Sequence, residues 1–226
     1  MALAERQHGL VTVGQTSDLG LTRSAILHRV RSGRWEPVGG GVYRLVGAER
    51  TWAQRLHAAV LATGPAAASH RSAAALLGIP GFDRAGLVEV ITPRPRRHRH
   101  TECRVHRWRI LPGDHLTTVE GIPTTRVART LIDLAGALHP ARTERALDNC
   151  LAARTVTLGA LRAAFIDLAA PGRKGIALMR RLLDERGDGY VAPASELEAC
   201  FIALLRSHGL PEPARQVDVG DELGWV

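Results

Sequence analysis

Residues 8–46 constrain the fold of this chain most, because they carry the start and stop signals of two short helices. Thr12 followed by Gln15 is a capping box, which predicts a first helix from Val13 to about Leu19. A turn of about three residues then leads into a second helix. Two short helices joined in this way are typical of a helix-turn-helix, in which the second helix is presented outward.

The second helix, RSAILHRVRS, begins after a Thr22 cap and ends at Gly33, a residue type that tolerates the left-handed conformation of a helix end. Ile26, Leu27 and Val30 recur at helical spacing and predict an apolar face. The remaining edge is polar and basic. We therefore expect this helix to be a recognition helix whose basic edge enters a major groove.

A hairpin follows the second helix. Two β-rich runs, WEPV and VYRLV, flank three consecutive glycines at residues 39–41, which predicts a β-hairpin. Beside a recognition helix, this hairpin is interpreted as the protruding wing of a winged helix-turn-helix. The residues of this module expected to contact DNA bases or phosphates are Thr22, Arg23, Ser24, His28, Arg31, Arg34 and Arg44. The alternative, left open here, is that the polar edge is only solvated.

The charge distribution favours an anionic partner. The chain carries 30 Lys+Arg against 22 Asp+Glu, a net charge of +8 and a pI near 10.7. Residues 1–50 contain seven arginines and four acidic residues, and residues 94–109 contain seven arginines and one acidic residue. Residues 190–226, in contrast, contain two arginines and six acidic residues. However, Lys174 is the single lysine, and a genome-wide codon preference also explains such an excess of arginine over lysine.

A basic segment, PRPRRHRHTE, lies between two predicted strands at residues 87–92 and 105–110. Its prolines disfavour helix and sheet, so the segment is predicted to be an extended loop. The loop either tracks phosphates or is a solvated connector. Its candidate DNA-binding residues are Arg94, Arg96, Arg97 and Arg99.

The composition favours helices, because 45% of residues are hydrophobic but only 4% are aromatic, which leaves leucine, alanine and valine to fill the cores. Strand patterns are short and few, and one of them, DHLTTVEGIPTT at residues 114–125, predicts a strand pair around Glu120 and Gly121. We predict a mainly α fold with small β elements (α+β). Its predicted parts are an N-terminal winged helix-turn-helix domain at residues 1–50, a mixed helical middle domain with a small sheet at 51–190, and an incomplete C-terminal α/β segment at 191–226.

Catalytic motifs are not found in the sequence, which lacks the G-x-x-x-x-G-K-[ST], G-x-S-x-G and H-E-x-x-H patterns. The SHRS sequence at residues 69–72 is interpreted as a helix cap rather than as a nucleophile. Cys103, Cys150 and Cys200 lack metal-ligand spacing, and the last two are predicted to be core residues. We therefore expect no enzyme activity, no cofactor and no metal site.

Three further predictions concern the helices after residue 125. Thr125 is expected to cap the helix VARTLIDLAGAL, and Ser195 with Glu198 forms a second capping box. Asp133 and Asp148 lie among leucines, and either they are buried carboxylates or they point outward or pair with Arg129, Arg145 or another nearby arginine. No apolar run approaches the ~20 residues that span a bilayer, and the chain start lacks signal-peptide features, so we expect a cytoplasmic protein without a membrane partner.

Three segments together resemble the AbiEi-type antitoxin family of type IV toxin–antitoxin systems: GLTRSAILHRVRSGRW with GGGVYRLVG, SHRSAAALLGIPG, and TTVEGIPTTRVARTLIDLAG followed by ALDNCLAA. The resemblance covers about residues 1–190. It implies an N-terminal winged helix that binds promoter DNA and represses its own operon, with antitoxin activity in the middle domain. Implied partners are double-stranded DNA and a nucleotidyltransferase-type toxin, and a homodimer is expected by analogy with repressors that read two half-sites. The DNA contacts implied are Arg23, Ser24, His28 and Arg31.

The segment SELEACFIALLRSHGLPEPARQVDV resembles the opening helix and strand of a Vsr-like member of the PD-(D/E)XK nuclease fold. In that fold an aspartate on a later strand and a D/E-x-K pair on the next hold the metal, and this chain stops before both. Glu198, or Glu196, matches the helix acid as a vestigial ligand, but one carboxylate does not hold Mg²⁺. We therefore expect no nuclease activity. A repressor, an antitoxin that binds protein through its middle domain and the regulatory portion of a truncated nuclease remain open as functions.

Overall fold

The computed structural model describes residues 2–93, 103–187, 190–193 and 195–213. Within these ranges lie ten α-helices and eight strands in two small sheets, so the predicted α+β class is confirmed. None of these helices has the length and apolarity needed to cross a bilayer. The helices are α1 (Ala2–Arg6), α2 (Val13–Asp18), α3 (Arg23–Arg31), α4 (Trp52–Thr63), α5 (His70–Leu76), α6 (Val127–Ala135), α7 (Pro140–Ala152), α8 (Leu158–Leu168), α9 (Ile176–Asp184) and α10 (Glu196–Ser207).

The strands form one three-stranded and one five-stranded sheet. They are β1 (Leu10–Thr12), β2 (Trp35–Gly39), β3 (Val42–Leu45), β4 (Ala67–Ala68), β5 (Val88–Thr92), β6 (Cys103–Arg107), β7 (Leu116–Val119) and β8 (Ile122–Thr125). The first sheet is antiparallel with the order β1-β3-β2. The second has the order β6-β5-β4-β8-β7, in which the pairs β5–β6 and β4–β8 are parallel.

Local sequence signals explain several element boundaries. The turn between β7 and β8 has φ values of 51° at Glu120 and 78° at Gly121, the left-handed conformation that a tight hairpin requires. The hydroxyl of Ser195 accepts the N–H of Glu198 at 3.1 Å and caps α10. Both features were predicted, because each depends on residues only a few positions apart.

Two predictions about the helices were wrong. Thr125 is the last residue of β8 rather than the cap of α6, and its buried hydroxyl hydrogen-bonds with the hydroxyl of Thr130 at 2.7 Å. Cys200 is exposed on α10, whereas Cys150 is buried in α7 as predicted. Ile202 is the buried side chain near Cys200, and positions two residues apart on a helix point in different directions.

The Ser69–Ser72 segment starts α5. Ser69 occupies the N-cap position but is fully buried, and its hydroxyl hydrogen-bonds with His70 Nδ1 at 3.0 Å instead of a helix N–H. The imidazole of His70 stacks on that of His106 with ring centroids 3.5 Å apart. The interpretation as a helix start is therefore confirmed, although the serine hydroxyl does not make the capping bond.

Helix α4 packs on both sheets. Its Leu56 and Val60 belong to an apolar cluster with the five-stranded sheet, whereas Ala58 and Ala62 pack with β1 and β3. A third and larger cluster fills the space between α5, α6, α7, α8 and α9. Its fully buried side chains include Leu131, Ile132, Leu134, Leu147, Leu161, Met179 and Leu182. The division into domains after residues 50 and 190 stays a prediction.

Buried ion pairs connect the helices of this larger cluster. Asp148 in α7 accepts two hydrogen bonds from Arg186, Nε to Oδ1 and Nη2 to Oδ2, both at 2.9 Å. Asp133 in α6 binds Arg129 at 2.9 Å and Arg173 at 2.6 Å. Both aspartates are thus buried and paired with arginines, and neither points outward.

Replacing Asp148 with asparagine should lower the free energy of unfolding by about 3 kcal/mol, because the buried Arg186 then loses its bidentate carboxylate and keeps only the longer contacts with Glu144 at 3.2 Å and Glu185 at 3.9 Å. Urea denaturation at pH 7 measures the change. Arg181→Gln is the control, since Arg181 is 59% exposed and pairs with Glu185 at 3.6 Å. Loss of such a surface pair should cost less than about 1 kcal/mol. Equal effects of the two substitutions would contradict the assigned role of the buried pair.

Stability should also depend on pH, because burial lowers the pKa of His57 and of His70 from 6.5 to about 4. Between these values the unfolded chain binds more protons than the folded chain, so stability falls as the pH falls. We expect the free energy of unfolding to drop by about 2 kcal/mol for each histidine between pH 7 and 4.5 in urea titrations. The H57N/H70N variant should flatten this profile, and asparagine tolerates the φ of 50° at residue 70. An unchanged slope in that variant would refute the assignment.

Candidate nucleic-acid interface

The helix pair α2–α3 is fixed by its caps. Thr12 Oγ1 accepts the N–H of Gln15 at 3.2 Å, and the Gln15 side chain accepts the N–H of Thr12 at 3.0 Å, which completes the predicted capping box. The side chain of Gln15 also hydrogen-bonds with that of Gln7, just after α1. Thr22 Oγ1 accepts the N–H of Ala25 at 3.2 Å and caps α3. Both predicted helices are confirmed.

The inner face of α3 is narrower than predicted. Ile26 is buried against its neighbours, but Leu27, expected on the same face, is 42% exposed. Consecutive residues of a helix are rotated by about 100°, so Leu27 does not share the direction of Ile26. The N–H groups of Gly33 and Arg34 donate to carbonyls of the last turn at 3.1 and 2.9 Å, which ends α3 where predicted.

The outer edge of α3 is exposed. Its members, here called the α3 edge, are Arg23, Ser24, His28, Arg31 and the adjoining Arg34. In the described part of the chain, the guanidinium groups of Arg23, Arg31 and Arg34 form no ion pair with a carboxylate. Thr22 is also exposed, but its oxygen already accepts the capping hydrogen bond. The edge therefore presents unneutralised positive charge beside hydroxyl and imidazole groups.

Arg44 does not belong to this exposed set. It lies in β3 with only 8% of its surface exposed, and its guanidinium donates to the Glu36 carboxylate and, at 2.7 Å, to the carbonyl of Ala48. Arg50 binds the same carboxylate at 2.9 Å. The hydrogen bond from Arg44 lowers the pKa of Glu36, so the carboxylate stays ionised. This burial contradicts the expected DNA contact, because the charge of Arg44 is neutralised inside the sheet.

The hairpin of β2 and β3 is present, but its turn does not protrude. Gly39, Gly40 and Gly41 have φ values of 105°, 60° and 76°, which only glycine adopts easily in succession. A Cβ on Gly40 would lie 2.5 Å from the Cβ of Ala62 in α4, and the N–H of Val13 donates to Gly41 at 2.9 Å. The expected wing is therefore a short hairpin whose turn packs against α4 and α2.

Sequence reasoning missed two features of the unit that contains α3. Strand β1, Leu10–Thr12, pairs with β3 and completes the sheet. Arg29 faces inward: its Nη1 donates to Ala25 O at 3.1 Å, and its Cζ lies 5.4 Å from the ring centroid of Trp35 in β2. The signal for Arg29 was its position three residues after Ile26, which places both on one side of the helix.

The other predicted site residues lie away from α3. Arg94, Arg96, Arg97 and Arg99 lie outside the described residues. Glu198, the predicted vestigial metal ligand, lies in the first turn of α10, where its N–H donates to Ser195. Within the described ranges, no three histidine, cysteine, aspartate or glutamate side chains are grouped as a metal site.

Comparison with known families bears on the first part of the chain. Residues 1–46 match the sequence profile of a family described as a transcriptional regulator, AbiEi antitoxin. The matched range runs from α1 to the end of β3 and contains the whole α3 edge. A comparison with curated proteins gives no match. The predicted resemblance is confirmed for residues 1–46, which are thus similar to a transcriptional regulator of the AbiEi antitoxin type, and beyond them it stays a prediction.

Proposed function

We propose that this protein is a DNA-binding transcriptional regulator of the antitoxin type, which places α3 in a major groove of duplex DNA. The α3 edge is the observation that carries the proposal. Its Arg23, Arg31 and Arg34 are exposed and have no carboxylate partner within the described residues, whereas Arg44 and Arg50 of the same segment share the carboxylate of Glu36. Unpaired positive charge is thus concentrated along the α3 edge, where phosphates compensate it.

The roles of the side chains follow from their positions along α3. Arg23 and Ser24 lie in the first turn, which is the part of a recognition helix that approaches base edges. An arginine there can donate two hydrogen bonds to guanine. Arg31 and Arg34 lie at the other end and contact phosphates, and His28 lies between the two groups.

The similarity of residues 1–46 to a regulator family supports a more specific proposal. The target is the region upstream of the protein's own operon, which it represses as a homodimer on two half-sites. In this proposal the middle of the chain binds a nucleotidyltransferase-type toxin, and the protein works in the cytoplasm.

A second candidate concerns α10. Leu197, Phe201 and Leu204 recur at spacings of four and three residues, and each is more than half exposed. Such an apolar stripe needs a packing partner. It supports the proposal that α10 is a helix of a Vsr-like nuclease fold, with Glu198 as its single matching acid.

Arg31→Gln should weaken binding to the upstream DNA and lower the slope of log K against log salt by about 1, because one phosphate contact is lost. Fluorescence anisotropy with a labelled duplex at several salt concentrations measures both quantities. Binding without a salt dependence would refute the proposed interface.

Arg50→Gln is the matched control for this measurement. Arg50 is in the same segment and its side chain is 70% exposed, but it is paired with Glu36. Its replacement should leave the salt slope nearly unchanged. If R50Q and R31Q reduce binding equally, general charge attraction and not α3 accounts for the affinity.

The protein should not cleave DNA in the presence of Mg²⁺, because only one acid of α10, Glu198 or Glu196, matches a metal ligand of that fold, and one carboxylate does not hold a catalytic metal ion. Incubation of supercoiled plasmid with the protein and Mg²⁺, followed by gel electrophoresis, tests this expectation. Nicking that requires the metal and disappears in E198Q would show that the residues present suffice for catalysis.

A further inference from the structure

A cleft of about 480 Å³ lies on the face of the five-stranded sheet that α5 covers. Its walls come from segments far apart in the chain: the start of α4, α5, residues 81–87, the strands β5 and β6, and the start of α7. Its volume is within the range of small-molecule sites. We call it the arginine cleft, and the lining residues used below are Trp52, Arg71, Phe82, Glu89, Arg104 and Arg142.

The floor of the cleft is the buried carboxylate of Glu89. Its Oε2 accepts the backbone N–H of Arg71 at 2.9 Å, while its Oε1 lies 3.3 Å from Arg71 Nη1, 3.5 Å from Arg104 Nη1 and 3.7 Å from His106 Nε2. Burial alone raises the pKa of Glu89, but His106 and the Arg71 N–H lower it to about 2. Glu89 is therefore ionised at neutral pH.

The arginines of the cleft are incompletely satisfied by this carboxylate. Charge-assisted hydrogen bonds are usually 2.7–2.9 Å long, and the side-chain contacts of Arg71 and Arg104 with Oε1 are all longer, since one oxygen serves several cations. Arg142 is held by a neutral group, donating to the carbonyl of Gly81 at 2.7 Å. Arg71 also donates from Nη2 to the carbonyl of Ala137 at 3.1 Å. A guanidinium has five N–H donors, so each of the three arginines retains N–H groups that these contacts do not use.

Aromatic groups complete the cleft. The ring of Phe82 lies 4.9 Å from the Cζ of Arg142, and Trp52 lies on the wall formed by α4. The indole N–H of Trp52 is itself buried, so the indole offers the cleft its aromatic surface rather than a hydrogen-bond donor. The three arginines face two lining carboxylates, Glu89 and Asp83, so the charge of the lining favours an anion.

We propose that the arginine cleft binds a nucleoside monophosphate, with the phosphate between Arg71, Arg104 and Arg142 and the base against Trp52 and Phe82. A flat base suits the aromatic wall formed by Trp52 and Phe82. A phosphate takes several hydrogen bonds from guanidinium groups at once. The cleft shares no residue with the α3 edge, so this ligand site does not depend on the proposed DNA binding.

Isothermal titration calorimetry of the full chain with each of the four ribonucleoside 5′-monophosphates tests the proposal. We expect saturable one-to-one binding of at least one of them. The matching nucleoside and inorganic phosphate should each bind at least about tenfold more weakly, since each lacks half of the recognised groups. Absence of saturable binding overturns the proposal, and phosphate binding as tight as that of the nucleotide overturns the role of the aromatic wall.

Arg104→Gln should weaken nucleotide binding about tenfold, and Arg181→Gln should leave it unchanged. The two residues are matched, because they are 56% and 59% exposed and each forms one ion pair, at 3.5 and 3.6 Å. Circular dichroism melts establish that both variants fold. Trp52→Leu gives an independent check: it keeps an apolar side chain but removes the aromatic surface, and affinity should fall. Equal effects of R104Q and R181Q, or unchanged affinity in both R104Q and W52L, place the ligand elsewhere.

Discussion

The pairing of buried arginines with a few internal carboxylates is the interaction on which the rest of this structure depends. Asp133 connects α6 with Arg173, just before α9, and Asp148 connects α7 with Arg186, just after α9. Helix α9 is thus held by a buried ion pair at each end. The Trp108 ring lies 4.1 Å from the Cζ of Arg173, and this aromatic contact compensates part of the desolvation of the charge. A core with few aromatic residues and many arginines is stabilised through these pairs as well as through leucine packing.

Arginine has three different environments in this protein, which differ in the number of carboxylates near the guanidinium group. Arg186 is paired with the carboxylates of Asp148 and Glu144 and is structural. In the arginine cleft, several cations share Glu89, and the surplus donors point to an anionic ligand. Along the α3 edge no carboxylate is paired with Arg31 in the described structure, and the charge faces solvent. Net charge alone, +8 for the chain, does not distinguish these cases.

The sequence by itself determined the N-terminal helix pair and the hairpins. The Thr12 and Thr22 caps, the end of α3 at Gly33 and the turn at Glu120-Gly121 were all predicted, and the structure contains each of them. These features depend on hydrogen bonds and backbone preferences among residues within about five positions of one another, so the information is local. The exposure of the α3 edge followed from helical periodicity for the same reason.

Only the tertiary structure decided which side chains are buried and paired in the interior. Arg44 resembled the exposed arginines in sequence, but its pairing with Glu36 across two strands places it inside the sheet. Gly40 packs on Ala62, so the hairpin that was expected to protrude as a wing is short and lies against α4. The arginine cleft is formed by segments that are far apart in the chain. Strand β1 also needed its partner, since three residues are too few to signal a strand. Each outcome depends on contacts between residues distant in the chain, and a pattern of neighbouring residues does not encode them.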